Sequence, residues 1–112
     1  MILGGTGSLG YASAMHLLAC GDEVHVTARH PVTISPGFDS GVTQHAVDLF
    51  AAPDQQLAAL MRGLDAVVYA LGPDDREPVP APAEAHFTAL LVEQTRRIVR
   101  AARRAGVRRV VV

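Results

Sequence analysis

Lysine and tryptophan are missing altogether from this 112-residue chain, and there is one cysteine. All ten basic residues are arginine, so the fixed positive side-chain charge is guanidinium throughout. Cys20 has no partner in the chain for a disulfide, which fits a reducing, cytoplasmic compartment. No apolar run approaches the roughly 20 residues that a membrane helix needs. No basic-then-apolar leader precedes the first glycines, which argues against a secretory signal. Aromatic residues make up only 4%. Five histidines (His16, His25, His30, His45, His86) show no paired spacing for a metal, so they are expected on surfaces or strands, with no metal site.

What is present is a globular composition, 49% hydrophobic and 19% charged, of a length for one domain over residues 1–112. The net charge of −1 conceals an asymmetry. Residues 1–95 hold three arginines against eleven acids, whereas residues 96–112 hold seven arginines and no acid. Arg96, Arg97, Arg100, Arg103 and Arg104 fall on one side of a helix. They could meet nucleic acid, but a solvent face that complements the negative end of the helix dipole is the favoured reading. Nucleic acid is therefore not an expected partner.

The apolar pattern alternates between two periods. Met1–Leu3 is a stub of strand. From Ser8 to Cys20 the period is helical, with Gly10, Ala14, Leu17 and Leu18 on one face and Gly21 as the stop. Residues 23–28 (EVHVTA) read as a strand, 30–41 as a loop rich in proline and glycine, and 42–47 as a weaker strand. Pro53 opens a short helix to about Arg62. Residues 65–71 (DAVVYAL) form a nearly continuous apolar strand, as in a sheet covered on both faces. Residues 72–82 are a loop, whose acidic run Asp74, Asp75, Arg76 and Glu77 is either solvated or in reach of a substrate. A long helix over 83–105 follows, with Phe87, Leu90, Leu91, Gln94, Ile98, Ala101, Ala102 and Ala105 as its buried stripe. Gly106 ends it, and 107–112 begins another strand. This order predicts a Rossmann-like, doubly wound parallel sheet of about five strands, with helices on both faces.

The stretch GGTGSLG at residues 4–10 lies between the first strand and the first helix, the context in which glycines make a phosphate site. Gly4 permits the tight turn, Gly7 lets the backbone approach a pyrophosphate, and Gly10 lets the helix pack close to the sheet. Backbone N–H groups and the helix dipole would hold the negative charge.

GGTGSLG, the VDL of residues 47–49, the strand DAVVYALG and the closing run TRRIVRAARRAGVRRVVV together resemble the NAD(P)-binding portion of extended short-chain dehydrogenases/reductases. This is the family of NAD-dependent epimerases and dehydratases. The resemblance covers essentially the whole chain. It implies a dinucleotide cofactor, with Ser8 and Leu9 contributing backbone to the pyrophosphate site, Asp48 on the adenine amino group and Leu49 beside the ring. A turn or helix cap is the other reading of Asp48. Ala70, Leu71 and Gly72 would line the ribose and nicotinamide side. At the end of the second strand an acidic residue would favour NAD. Thr27 and Arg29 stand there instead, and arginine pairs with a 2′-phosphate, so NADP is favoured and NAD is second.

The resembled family works through a Tyr-x-x-x-Lys pair, in which the tyrosine is the acid/base. With no lysine, that pair is not in this chain, and Tyr11 and Tyr69 match neither its place nor its setting, so no catalytic residue is assigned. The expectation is a domain incomplete at both ends, whose small-molecule substrate, and possible homodimer contacts, belong to a longer enzyme. A non-catalytic protein that senses NAD(P) on the same fold is the alternative.

Overall fold

The computed structural model describes residues 1–29, 41–73 and 78–112. The acidic run 74–77 and most of the expected loop after the second strand, with His30, lie outside the described residues. Among the described residues five strands form one sheet: β1 (Ile2–Leu3), β2 (Val24–Ala28), β3 (Val42–Ala46), β4 (Ala66–Tyr69) and β5 (Arg109–Val111). All pairs are parallel and the spatial order is β3-β2-β1-β4-β5. The chain winds outward in one direction from β1 and then returns past it to continue in the other. The reversal point therefore falls between β1 and β4, where open parallel sheets present a crevice at the carboxyl ends of the strands.

The helices α1 (Ser8–Ala19), α2 (Asp54–Leu60), α3 (Ala83–Phe87) and α4 (Gln94–Ala105) supply the crossovers. On one face α1 covers Ile2, Val24 and Val26, with Ala14 buried among them and Met15, Leu17 and Leu18 half-buried. The face expected for α1 is thus the one it buries. On the other face Leu3, Val67 and Tyr69 meet Leu57 of α2, Met61 just past its end, and Ile98, Ala101 and Ala102 of α4. Each of the larger aliphatic side chains contributes about 1.5–3 kcal/mol by leaving water. β1 has only two residues, yet both are fully buried between neighbouring strands.

The long helix departs from expectation. Between α3 and α4, residues Thr88–Glu93 form a π-helical segment. Each wide turn rotates the residues before it relative to those after. The stripe therefore breaks: Gln94, Ile98, Ala101 and Ala102 are buried as expected, but Leu91 is 44% exposed and Phe87 and Leu90 are only half-buried. Gly106 closes α4 in the left-handed region, at φ 81°, the conformation glycine adopts most cheaply. Among the described residues no helix is long and apolar enough to cross a membrane.

Candidate cofactor cleft

The glycine loop begins where β1 ends. Gly4 has φ 83°, a region that disfavours side chains. Its N–H donates to the Thr27 hydroxyl at 3.1 Å, and the next amide, of Gly5, donates to the Thr27 carbonyl at 3.2 Å. The Gly7 N–H then closes a tight turn on the Gly4 carbonyl at 3.1 Å. Gly10 is held to glycine by crowding, since a Cβ there would lie 2.2 Å from the Gly4 carbonyl oxygen. Helix α1 can start this close to the sheet only because that carbon is missing.

Gly7 is different. A Cβ there meets nothing closer than the Gly4 carbonyl oxygen at 3.5 Å, an ordinary contact, and its φ of −76° suits any residue. The fold does not demand glycine at this position. Gly7 is also the N-cap of α1, with no side-chain cap and no acidic residue in the first turn. The first intrahelical bond runs from the Tyr11 N–H to the Gly7 carbonyl at 2.8 Å. The first-turn amides of Ser8, Leu9 and Gly10 thus have no intrahelical acceptor, and they gather at the positive end of a 12-residue helix. This is a set of donors suited to an anion.

Across the reversal point, Ala70 and Leu71 follow β4. The Ala70 N–H pairs with the Leu3 carbonyl at 2.9 Å, and the Leu71 side chain packs over Gly4, where any Cβ would meet it at 2.9 Å. Leu71, Gly72, Tyr69 and Leu91 border a largely apolar cleft of about 320 Å³ that reaches Leu9 at the start of α1. Leu9 is 76% exposed. The Tyr69 hydroxyl donates to the Leu90 carbonyl at 3.3 Å, and burial pushes its pKa up. Thr95 lines the same cleft with a buried hydroxyl that has no partner among the described residues. Sequence reasoning missed Thr95, because the cleft it lines draws on residues far apart in the chain, from Leu9 and Tyr69–Gly72 to Val112.

The far side of the loop is set by β2 and β3. The Val47 N–H pairs with the Ala28 carbonyl at 2.9 Å, carrying the β2–β3 ladder one residue past Ala46. Arg29 and Asp48 therefore leave their strands at the same carboxyl edge, both exposed. Asp48 does act as a turn cap: its Oδ1 accepts the Phe50 and Ala51 N–H groups at 2.9 and 3.3 Å. Its second carboxylate oxygen has no part in that turn.

Two assignments move. Thr27 is 1% exposed and sits beneath the glycine loop. A hydroxyl there shapes the loop and is not presented to a ligand's 2′-phosphate. Leu49 is 4% exposed and packs in the core with Leu3, Leu57 and Ile98, so its side chain is spent on the fold. The arginine face is corrected as well. Arg96, Arg100, Arg103 and Arg104 are exposed, but Arg97 is folded inward onto the 49–54 segment. Gly5 was not singled out from the sequence, yet a Cβ on it would stand 2.5 Å from Val26. No group of three or more metal-ligating side chains converges among the described residues.

Two histidines of neighbouring strands do meet. His25 Nδ1 lies 3.0 Å from His45 Nε2, and His25 Nε2 lies 3.0 Å from Glu23 Oε1. Burial, then the neighbouring His25, then the chain's amino terminus lower the His45 pKa. A sequence separation of 20 residues concealed this pair, which exists because β2 and β3 run side by side.

Comparison with known proteins agrees with this geometry. Among curated protein sequences none matches the chain, but solved structures do. A protein from Burkholderia pseudomallei described as exported superimposes with TM-score 0.70 at 29% identity, over 97% of this chain and 44% of its own. A short-chain dehydrogenase/reductase superfamily protein from Agrobacterium tumefaciens, solved with NAD bound, gives 0.69 at 28% identity, over 97% of this chain and 30% of its own. The dTDP-glucose 4,6-dehydratase DesIV from Streptomyces venezuelae, also solved with NAD, gives 0.70 at 25%, over 97% and 37%. The chain thus spans less than half the length of these relatives, and its likeness is to the NAD(P)-binding portion of epimerase/dehydratase and short-chain reductase proteins. Residues 4–112 match the model of the NAD(P)H-binding family, and the chain belongs to that family.

Proposed function

We propose that this chain is the cofactor-binding part of an NAD(P)-dependent oxidoreductase of the epimerase/dehydratase kind, with NADP preferred over NAD. The observation that carries the reading is the pairing of an uncapped helix start with a loop glycine, Gly7, whose missing side chain the fold itself does not need. A pyrophosphate resting on Gly4, Gly7 and Gly10 and on the amides of Ser8 and Leu9 accounts for both. Arg29 offers a planar fork of donors to a 2′-phosphate at the strand edge. The unused oxygen of Asp48 can accept from the adenine amino group. Ala70, Leu71 and Gly72 line the apolar cleft on the nicotinamide side.

When bound, the nicotinamide supplies hydride chemistry. This chain's own residues bind and orient the dinucleotide. The substrate, the acid/base group and any contacts of a homodimer would come from segments outside these 112 residues. A cytoplasmic, soluble setting belongs to the same proposal.

Calorimetric titration with NADP and NAD tests it. Gly7→Val is expected to abolish binding of both while the chain stays folded, because it fills the space meant for the pyrophosphate. Arg29→Asp is expected to reverse the order of preference. Unchanged affinity in the first variant, or equal losses for both nucleotides in the second, counts against the corresponding assignment.

A further inference from the structure

The turn after β3 is held from an unexpected direction. Among the described residues β3 lies at the edge of the sheet, with β2 as its one strand neighbour. Beyond it, residues 48–52 curl into a turn closed by the Asp48 carboxylate and by the Ala52 N–H to the Asp48 carbonyl at 2.8 Å. Three further carbonyls of this turn, those of Leu49, Phe50 and Ala52, meet one end of α4. Gln94, 2% exposed, donates from Nε2 to the Leu49 carbonyl at 2.7 Å. Arg97 donates from Nη2 to the Ala52 carbonyl at 2.7 Å and from Nη1 to the Phe50 carbonyl at 3.2 Å. Its Nε reaches Asp54 Oδ1 at 3.0 Å, and Nη1 also meets Gln94 Oε1 at 2.9 Å.

We infer that Gln94 and Arg97 are positioning residues that fix the Asp48 turn, and through it the recognition of the adenine base. This rests on the reading of Asp48 as the adenine partner. All three guanidinium nitrogens are used, and each holds a group on or just after the turn. The side chain is 27% exposed, far less than its arginine neighbours on the helix. With the carbonyl side of the turn tied to α4, the exposed Asp48 carboxylate, whose Oδ1 is held by the turn, would keep its second oxygen in a fixed direction. A hydrogen bond from a planar base needs that direction. The arrangement also links the base-recognition turn to the helix whose π-helical start borders the apolar cleft.

The test compares NADP with its hypoxanthine analogue, in which an oxo group replaces the 6-amino group. Titrations use the 112-residue chain, its Arg97→Met and Arg97→Lys variants, and Gln94→Met as a second break in the same clamp. The unaltered chain is expected to favour the adenine form about tenfold, as befits a hydrogen bond to a charged acceptor. Arg97→Met and Gln94→Met are expected to bring that ratio close to one while affinity for the hypoxanthine form stays within about twofold, since the phosphate contacts are untouched. Arg97→Lys is expected to retain part of the ratio. If the folded variants keep the full preference, or weaken both nucleotides equally, the positioning role is overturned and Asp48 stands alone. If the unaltered chain shows no preference, the Asp48 reading fails and the inference falls with it. Melting curves on each variant separate loss of folding from loss of discrimination.

Discussion

Helices α1 and α4 have the same length, 12 residues each, and lie on opposite faces of one sheet. They solve different problems. α1 buries almost nothing large: its fully buried residues are Gly10 and Ala14. Its start is placed by the absence of side chains, close enough to the loop that the Gly4 carbonyl fills the space a Cβ would take. α4 buries Ile98, Ala101 and Ala102 and adds a polar clamp of Gln94 and Arg97. One helix is shaped by what must fit in front of it and the other by what must pack beneath it. Damage to the core face of α4 should therefore appear first as lost stability, and damage at Gly7, the N-cap of α1, as lost ligand.

The sharpest way to break this contrast is in the core. Ile98→Ala is expected to cost about 2–5 kcal/mol, the range for emptying a fully buried aliphatic site, measured by urea denaturation. A loss below 1 kcal/mol would mean that α4 does not anchor the fold. Gly10→Ala comes next. In an ordinary helix this change stabilises. Here the new carbon collides with backbone, and a loss of about 1–3 kcal/mol is expected. A gain in stability would show that the loop can move away and that the close approach is not required.

Gly7→Ala separates the two helices most cleanly. Its effect on unfolding should stay within about 1 kcal/mol, since the site is an N-cap with room for a methyl. Its NADP affinity should nevertheless fall at least tenfold in calorimetry. Equal affinity would move the anion away from Gly7. The smallest effect belongs to the His25–His45 pair. Burial and the adjacent ring lower the His45 pKa, so the folded state takes up its proton less readily than the unfolded chain. Stability from this source is complete above the ordinary histidine value of about 6.5 and is lost as the pH falls below it toward the lowered folded value. His45→Gln should flatten that acid limb in melts recorded at a series of pH values. An unchanged slope would assign the pH dependence to other groups.

Much of the sheet was legible because its signals are local. Alternating valines marked β2, a continuous apolar run marked β4, and glycines marked the end of each long helix. The glycine loop was legible too, because its spacing and its place between a strand and a helix are both readable in one dimension. What stayed hidden depends on neighbours distant in sequence. Arg97 looks like any arginine on a basic helix until α4 is laid against the 49–54 segment. Thr27 looks available at a strand end until the loop folds over it. His25 and His45 become a pair only once two strands align. The π-helical segment leaves no mark in the apolar pattern, whose period hardly differs over one wide turn.

Thr27 holds two successive amides of the glycine loop, Gly4 through its hydroxyl and Gly5 through its carbonyl. The cradle thus has its shape before any guest arrives, and little chain entropy remains to be lost on docking. Occupancy should then raise the melting temperature simply by mass action. The heat-capacity change should match the surface covered by the nucleotide alone, without the larger signature of a segment that folds around its guest.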